Sequence, residues 1–329
     1  MRYYLRKIAF YLVALWAAVT LNFVVPRLMP GNPVDVLVAK LAEHGGAVDP
    51  AVRRSYELLL GAGGGESLPH QYFAYLGNML TGNLGVSVSA FPASVSDVIA
   101  QSLPWTVVLV GLSTLMSFAL GVGLGAVVGW RRGTWLDHLV PATTVLSAVP
   151  YFWLALILVA LFASGLGWFP LNGGYDVTLD PGFTGEFIAS ALYHGALPAL
   201  TIVLSSVGGW LLGMRNMMVA TGSEDYVLTA QAKGLRDSRV MIRYAARNAV
   251  LPSVAGFAIS LGFVVSGSIV TEQVFSYPGI GSKLLQAVQN NDYALMQGIF
   301  LVITVAVLGA NLVVDLLHGL IDPRTRAGR

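Results

Sequence analysis

Residues Glu224–Pro252 read EDYVLTAQAKGLRDSRVMIRYAARNAVLP. This charged stretch sits between two apolar runs, about 191–217 and 251–275. A run of roughly 20 apolar residues, at 1.5 Å rise each, is long enough to cross a bilayer. The stretch is therefore a loop at the membrane surface. Its punctuation predicts order: Asp225 or Ser223 is placed to cap a helix through Tyr226–Lys233, and Gly234 suits a C-cap. Asp237 or Ser238 then starts a second helix through Arg247. Ala230 and Ala232 beside Gly234 form a small-residue surface open to close approach. Arg236, Arg239, Arg243 and Arg247 recur at steps of three and four, a single basic stripe. Two readings fit: a docking element for a soluble partner, or a basic loop against lipid headgroups.

The rest of the chain has the same character. Of its 329 residues 55% are hydrophobic and only 11% charged. Soluble domains carry about a quarter charged residues, so the composition is that of a polytopic membrane protein. Six stretches qualify as spans: about 8–29, 103–129, 139–165, 191–217, 251–275 and 294–320. The first lacks a convincing small-x-small cleavage site before Pro26 and reads as a retained signal anchor. Asn22 interrupts it, and Arg27 at its end can snorkel to the interface. His194 and Gly208-Gly209 make the fourth span the weakest.

Lys and Arg set the orientation. With the N-terminus inside, 14 of the 19 lie in the cytoplasm, leaving Arg27, Lys40, Arg53, Arg54 and Lys283 outside. Both termini are then cytoplasmic. The domain plan is 1–30 for the N-terminal tip and first span, and 31–102 for a long external segment. A five-helix core follows at 103–320, including the inner loop 218–250, with a cytoplasmic tail at 321–329. The external segment carries a glycine run at Gly61–Gly65 and a short helix over Asp49–Leu60, capped by Asp49 with Pro50 in its first turn. Arg131–His138 forms a tight inner loop, and 166–190 and 276–293 are smaller outer ones.

Chemistry of its own is not written in this chain. With no cysteine, thiolate nucleophiles and Cys-based metal sites are excluded. The five histidines (44, 70, 138, 194 and 318) are scattered, without an H-E-x-x-H. Gly279-Ile-Gly-Ser-Lys283 lacks the spacing of a phosphate loop. Gly121, Gly125 and Gly129 recur every four residues; Ala126 and the lack of a strand–helix context oppose a dinucleotide site, and close helix packing fits better. Nothing points to nucleic acid. Polar residues near the spans are few, and such residues face a cavity or a partner. Glu272, with Gln273, lies near the outer end of its span as a gate or a structural hydrogen bond. Asn311, Asp315 and His318 share helical spacing; Asp315 lines a pathway or sits at the inner interface.

The motifs also carry a resemblance. Asp225-Tyr-Val-Leu-Thr-Ala-Gln-Ala-Lys-Gly-Leu235 with Arg247-Asn-Ala-Val-Leu-Pro252 resembles the cytoplasmic "EAA" loop of binding-protein-dependent ABC importer permeases of the dipeptide/oligopeptide/nickel branch. Colinear matches include Met29-Pro-Gly-Asn-Pro33, Gly82-Asn-Leu-Gly85, Arg131-Arg-Gly-Thr-Trp-Leu-Asp137 and Val149-Pro-Tyr-Phe-Trp-Leu154. Gly167-Trp-Phe-Pro170, Val274-Phe-Ser-Tyr-Pro-Gly-Ile-Gly281, Asn291-Asp-Tyr293, Asn311-Leu-Val-Val-Asp315 and Asp322-Pro-Arg324 continue the series. Asn32 and Asn83 depart from the family's usual Asp.

The resemblance implies an all-α type I ABC importer-like permease with six transmembrane helices, in the cell membrane of a prokaryote. It implies a homologous second permease, two ATPase subunits that hold ATP and Mg, and an extracytoplasmic substrate-binding protein, with no cofactor or metal in this chain. The helix around Ala230–Val240 would be the coupling helix. Glu224, Asp225, Tyr226, Ala230, Ala232, Lys233, Gly234, Leu235, Arg236, Arg239 and Pro252 would form the ATPase-coupling loop. Dipeptides and oligopeptides are the implied cargo; the same machinery on nickel, glutathione or oligosaccharide is the alternative. An ion-coupled secondary carrier is a further alternative.

Overall fold

A computed structural model describes residues 2–31, 33–45, 49–59, 67–265 and 268–321. Asn32, the 61–65 glycine run and the tail from Asp322 lie outside the described residues. The architecture is all-α: among the described residues the only extended pairing is an isolated bridge, Val86 to Ser94.

Among the described residues four helices are long and apolar enough to span on their own. α1 (Arg2–Arg27) is apolar from Ile8 to Val25 apart from Tyr11, Thr20 and Asn22, as a spanning helix requires. Three helices of the 31–102 segment follow: α2 (Pro33–Gly45), α3 (Pro50–Leu59) and α4 (Leu68–Leu80). The Asp49 carboxylate accepts the Ala51 N–H at 2.7 Å, so the expected cap forms. α5 (Val95–Trp130) is the second span and begins eight residues before the expected position. The cause is a reciprocal cap: the Asp97 N–H donates to Ser94 Oγ at 3.1 Å and the Ser94 hydroxyl donates to Asp97 at 2.6 Å.

The expected third span is broken. α6 (Leu139–Ala148) and α7 (Tyr151–Leu158), which runs on as a π-helical segment to Gly165, meet at 96°. Pro150 forces Val149 into an extended conformation and supplies no N–H, so the ladder stops there. α8 (Gly185–Gly222) is one unbroken helix despite His194 and the glycine pair, and outruns its expected limits at both ends. The charged loop folds as α9 (Asp225–Ala232), α10 (Asp237–Val240), a π-helical segment Met241–Ala246 and α11 (Arg247–Ala249).

The fifth span departs from its expected 251–275. α12 (Leu251–Val264) has only 14 residues and is bent 50° from the helical run before it; α13 (Ile269–Val274) is separate. α14 (Ile280–Gln289) lies in the expected outer loop, and α15 (Tyr293–Ile321) is the last span. Counting each bent pair as one span gives up to six candidate spans among the described residues.

The chain forms two compact units. The first comprises residues 1–106, 265–269 and 278–329. In it α1 packs on α15, and Val95, Ile99, Ile280, Leu284 and Ile299 close an apolar core. Asp292 is fully buried and accepts from Ser87 Oγ (2.6 Å), the Ser89 N–H (2.8 Å) and the Leu295 N–H (3.1 Å). One carboxylate thus caps α15 and pins residues 87–89.

The second unit comprises 107–264 and 270–277. Its spine is the crossing of α5 on α8. A β-carbon at Gly121, Gly125 or Gly129 would fall 2.5–2.7 Å from atoms of α8, so the glycine repeat is the surface on which α8 lies. Phe118 stacks on Phe257 at 4.3 Å between ring centroids. In the 131–138 turn the Asp137 carboxylate receives the Gly133 N–H at 2.7 Å and lies 3.9 Å from Arg215 of α8. The Gly173 N–H donates to the Phe275 carbonyl at 2.9 Å, tying the segment after α7 to the end of α13.

Candidate functional site

The charged loop stands on an apolar base. Val227 and Ala230 of α9, Val240, Ala245 and Ala249 bury against Met214 and Met218 of α8. Burying aliphatic side chains contributes about 1.5–3 kcal/mol for each large one, which fixes the loop to its span. Ala230 is therefore part of that base and does not belong to the approach surface expected for it. On an eight-residue helix the inward side is set by Val227, one turn earlier. Ala232 is exposed.

Gly234 closes α9 in a Schellman turn. Its φ is +71°, its N–H donates to the Gln231 carbonyl at 2.9 Å, and the Leu235 N–H donates to Ala230 at 3.4 Å. Leu235 packs on the same apolar base. Nothing lies within 4 Å of where a Gly234 β-carbon would sit, so this corner faces open space. Lys233 and Arg236 flank it, both exposed. The expected coupling helix over Ala230–Val240 is thus a helix end, a glycine turn and one short helical turn. The side-chain caps differ too. Glu224 is the N-cap of α9 and Arg236 that of α10, each without a capping side-chain bond. The Asp237 carboxylate instead accepts the Trp130 indole N–H at 3.0 Å to each oxygen, clipping the loop to the end of α5. No sequence periodicity announces that pairing across 107 positions.

The basic stripe survives in altered form. Arg239, Arg243 and Arg247, with Tyr226, Tyr244 and Asn248, line an open cavity of about 490 Å³; Arg236 does not take part. The π-helical segment widens the turn between Arg239 and Arg247. Asn248 donates to the Tyr226 hydroxyl at 2.8 Å, bridging the two roots of the loop. Tyr226 was legible as a loop residue; Asn248, 22 positions on, carries no spacing signal. Pro252 sits in the first turn of α12, where its missing N–H costs nothing.

The polar residues expected near a pathway are dispersed over the units. Glu272 is fully buried and Gln273 exposed, both on α13 of the second unit. Just beyond, the Tyr277 N–H donates to the Glu272 carbonyl at 2.7 Å. Burial, with the Glu272 charge second, pushes the Tyr277 phenol up to about 12. Asn311 is half-buried on α15 of the first unit, and the side chains of Asp315 and His318 lie outside the described residues. Among the described residues no group of three metal-ligating side chains gathers.

An all-α chain crossing the bilayer with broken third and fifth spans and an ordered polar loop is a polytopic membrane component. The model of one family, the binding-protein-dependent transport system inner membrane component, matches residues 121–327. The chain belongs to that family, as a multi-pass inner-membrane permease component of ABC transporters. It is 34% identical over 340 residues to the di/tripeptide transport system permease protein DppB of Pseudomonas aeruginosa (strain UCBPP-PA14), covering 98% of each chain. It is 29% identical to the oligopeptide transport system permease protein AppB of Bacillus subtilis (strain 168), again over 98% of each. With the glutathione transport system permease protein GsiC of Pectobacterium atrosepticum it shares 30% identity over 99% of each chain.

Proposed function

We propose that this chain is one of two permease subunits of an ATP-driven importer of dipeptides and oligopeptides. The observation that carries the mechanism is the open glycine corner at Gly234, on a loop whose base is buried against α8. Relatives named for di/tripeptide and oligopeptide transport favour peptide cargo. The glutathione relative is compatible, since glutathione is itself a small peptide.

On this reading both termini and the 218–250 loop are cytoplasmic, and residues 31–102 face an extracytoplasmic binding protein. ATP and Mg reside in two ATPase subunits, each engaging one permease, the second being a homologue of this chain. The Ala232–Arg236 corner enters a groove of its ATPase. Lys233 and Arg236 meet acidic rims, worth about 0–1 kcal/mol each where solvent reaches them. Packing against Ala232, Gly234 and Leu235 therefore carries the force. The loop passes it through Met214 and Met218 into α8. Glu272, Gln273 and Asn311 are the described polar candidates for the gate or path, with Asp315 one helical turn beyond Asn311 in sequence.

Co-purification in mild detergent, followed by uptake in sealed vesicles, tests the proposal. Two ATPases, a second permease and a peptide-carrying binding protein, with uptake that needs ATP and no ion gradient, are expected. A chain that comes down alone, or uptake driven by an ion gradient without ATP, would overturn it.

A further inference from the structure

The arginine cavity is not used by the coupling corner, and its position suggests another ligand. We propose that Arg243, Arg247 and Tyr226 form a binding site for the phosphate of an anionic phospholipid headgroup, phosphatidylglycerol in type.

Place comes first. Tyr226 follows the end of α8 at Gly222 by four residues, and Asn248 precedes the start of α12 at Leu251 by three. Their hydrogen bond therefore lies at the root of the loop, whereas Gly234 lies at its tip. Arg247 is about 6 Å of helix rise before Leu251. A headgroup layer is about 5–8 Å deep on each side of the hydrocarbon, so Arg247 sits within it, while Arg243, about 12 Å of rise before Leu251, lies beyond its edge and reaches it only through its long side chain. Leu251 and Val254 just beyond are exposed, as side chains facing acyl chains are.

Chemistry agrees with place. Six residues line the cavity, and none is acidic. The acidic side chains on the same elements are Glu224, Asp225 and Asp237; the last is held by Trp130. Two guanidinium groups one helical step apart match the paired oxygens of a phosphodiester, a geometry that lysine does not provide. Asn248 donates to the Tyr226 oxygen, which leaves the phenolic proton for an acceptor such as a phosphate oxygen. Tyr226 and Tyr244 are also the amphipathic rings expected at an interface. An acidic protein surface would have to reach this root past the loop tip, so the lipid is the better-placed partner.

The full-length chain in detergent is titrated with dihexanoyl phosphatidylglycerol, dihexanoyl phosphatidylcholine, inorganic phosphate and an acidic hexapeptide. Saturable binding of phosphatidylglycerol is expected, with Arg243→Gln/Arg247→Gln weakening it about thirtyfold, from roughly fivefold per arginine near an anionic surface. Tyr226→Phe is expected to weaken it severalfold while leaving the fold intact. If the double Gln variant does not fold, Arg243→Lys/Arg247→Lys keeps the charge and removes the fork, and is expected to bind more weakly than wild type. Equal affinity in the folded arginine variants would overturn the site. Equal binding of phosphatidylcholine removes the anion requirement, and equal binding by inorganic phosphate makes the ligand a soluble anion; either overturns the lipid assignment. Preference for the hexapeptide would overturn it in favour of a protein partner. No readout depends on import, so failure of the transport reading leaves this result intact.

Discussion

Substituting Gly234 separates backbone strain from surface obstruction. Its φ of +71° is left-handed, where an L side chain costs about 1–2 kcal/mol. Space for a β-carbon is open, so Gly234→Ala meets that conformational cost without a clash. At 1.4 kcal/mol per tenfold, the closed turn loses about five- to thirtyfold against its alternatives. The apolar base under α9 and α10 resists, so partial loss of uptake is expected. Gly234→Asn tolerates the left-handed conformation and should keep more activity than alanine. Gly234→Trp combines the strain with a bulky ring on the corner and should abolish transport while leaving membrane insertion unchanged. The assay is initial ATP-driven peptide uptake in proteoliposomes of the assembled importer, with insertion checked by protease protection. Wild-type uptake by the tryptophan variant would refute the coupling role, and alanine outperforming asparagine would refute the backbone argument.

Three further outcomes follow from the packing. Gly125→Ala sets a β-carbon 2.5 Å from the Leu211 carbonyl oxygen; helices α5 and α8 must part, costing about 1–3 kcal/mol, read as a lower melting temperature in detergent. Asp292→Ala strands the Ser87 hydroxyl and two N–H groups, and should cost at least about 2 kcal/mol and open residues 87–89 to hydrogen exchange. Tyr277 has a phenol whose folded pKa, about 12, exceeds its unfolded value near 10. The neutral form is favoured by folding, so its contribution is complete below pH 10 and lost as pH rises from 10 through about 12; Tyr277→Phe should flatten that fall in thermal unfolding.

The apolar runs and the loop between them were legible because hydrocarbon imposes length and composition directly. Internal breaks were harder. Pro150 announces the bend in the third span, yet apolar content on both sides hides it from a hydropathy reading. Ser94-Val-Ser-Asp97 is a capping signature just outside the apolar run, which is why α5 starts earlier than hydropathy suggests. Gly234 could be read because only local backbone geometry demands it. Ala230 and Ala232 differ only through their setting: Val227 on the same helix turns Ala230 inward, and Val240 and Met218 from elsewhere in the chain supply the apolar surface it meets. The Trp130–Asp237 clip and the Tyr226–Asn248 bond are likewise products of the fold, invisible to spacing.

The glycine crossing has a mechanical consequence. With 38 residues, α8 is about 57 Å long at 1.5 Å per residue, and its loop-side end is fused to the charged loop. Turned as a rigid rod about that end by roughly 5°, it would sweep its opposite tip through about 5 Å, close to one helical turn. Because the backbones of α5 and α8 touch without intervening side chains, there is little compressible material to absorb the displacement. The pair is a lever whose stiffness is set by three missing β-carbons.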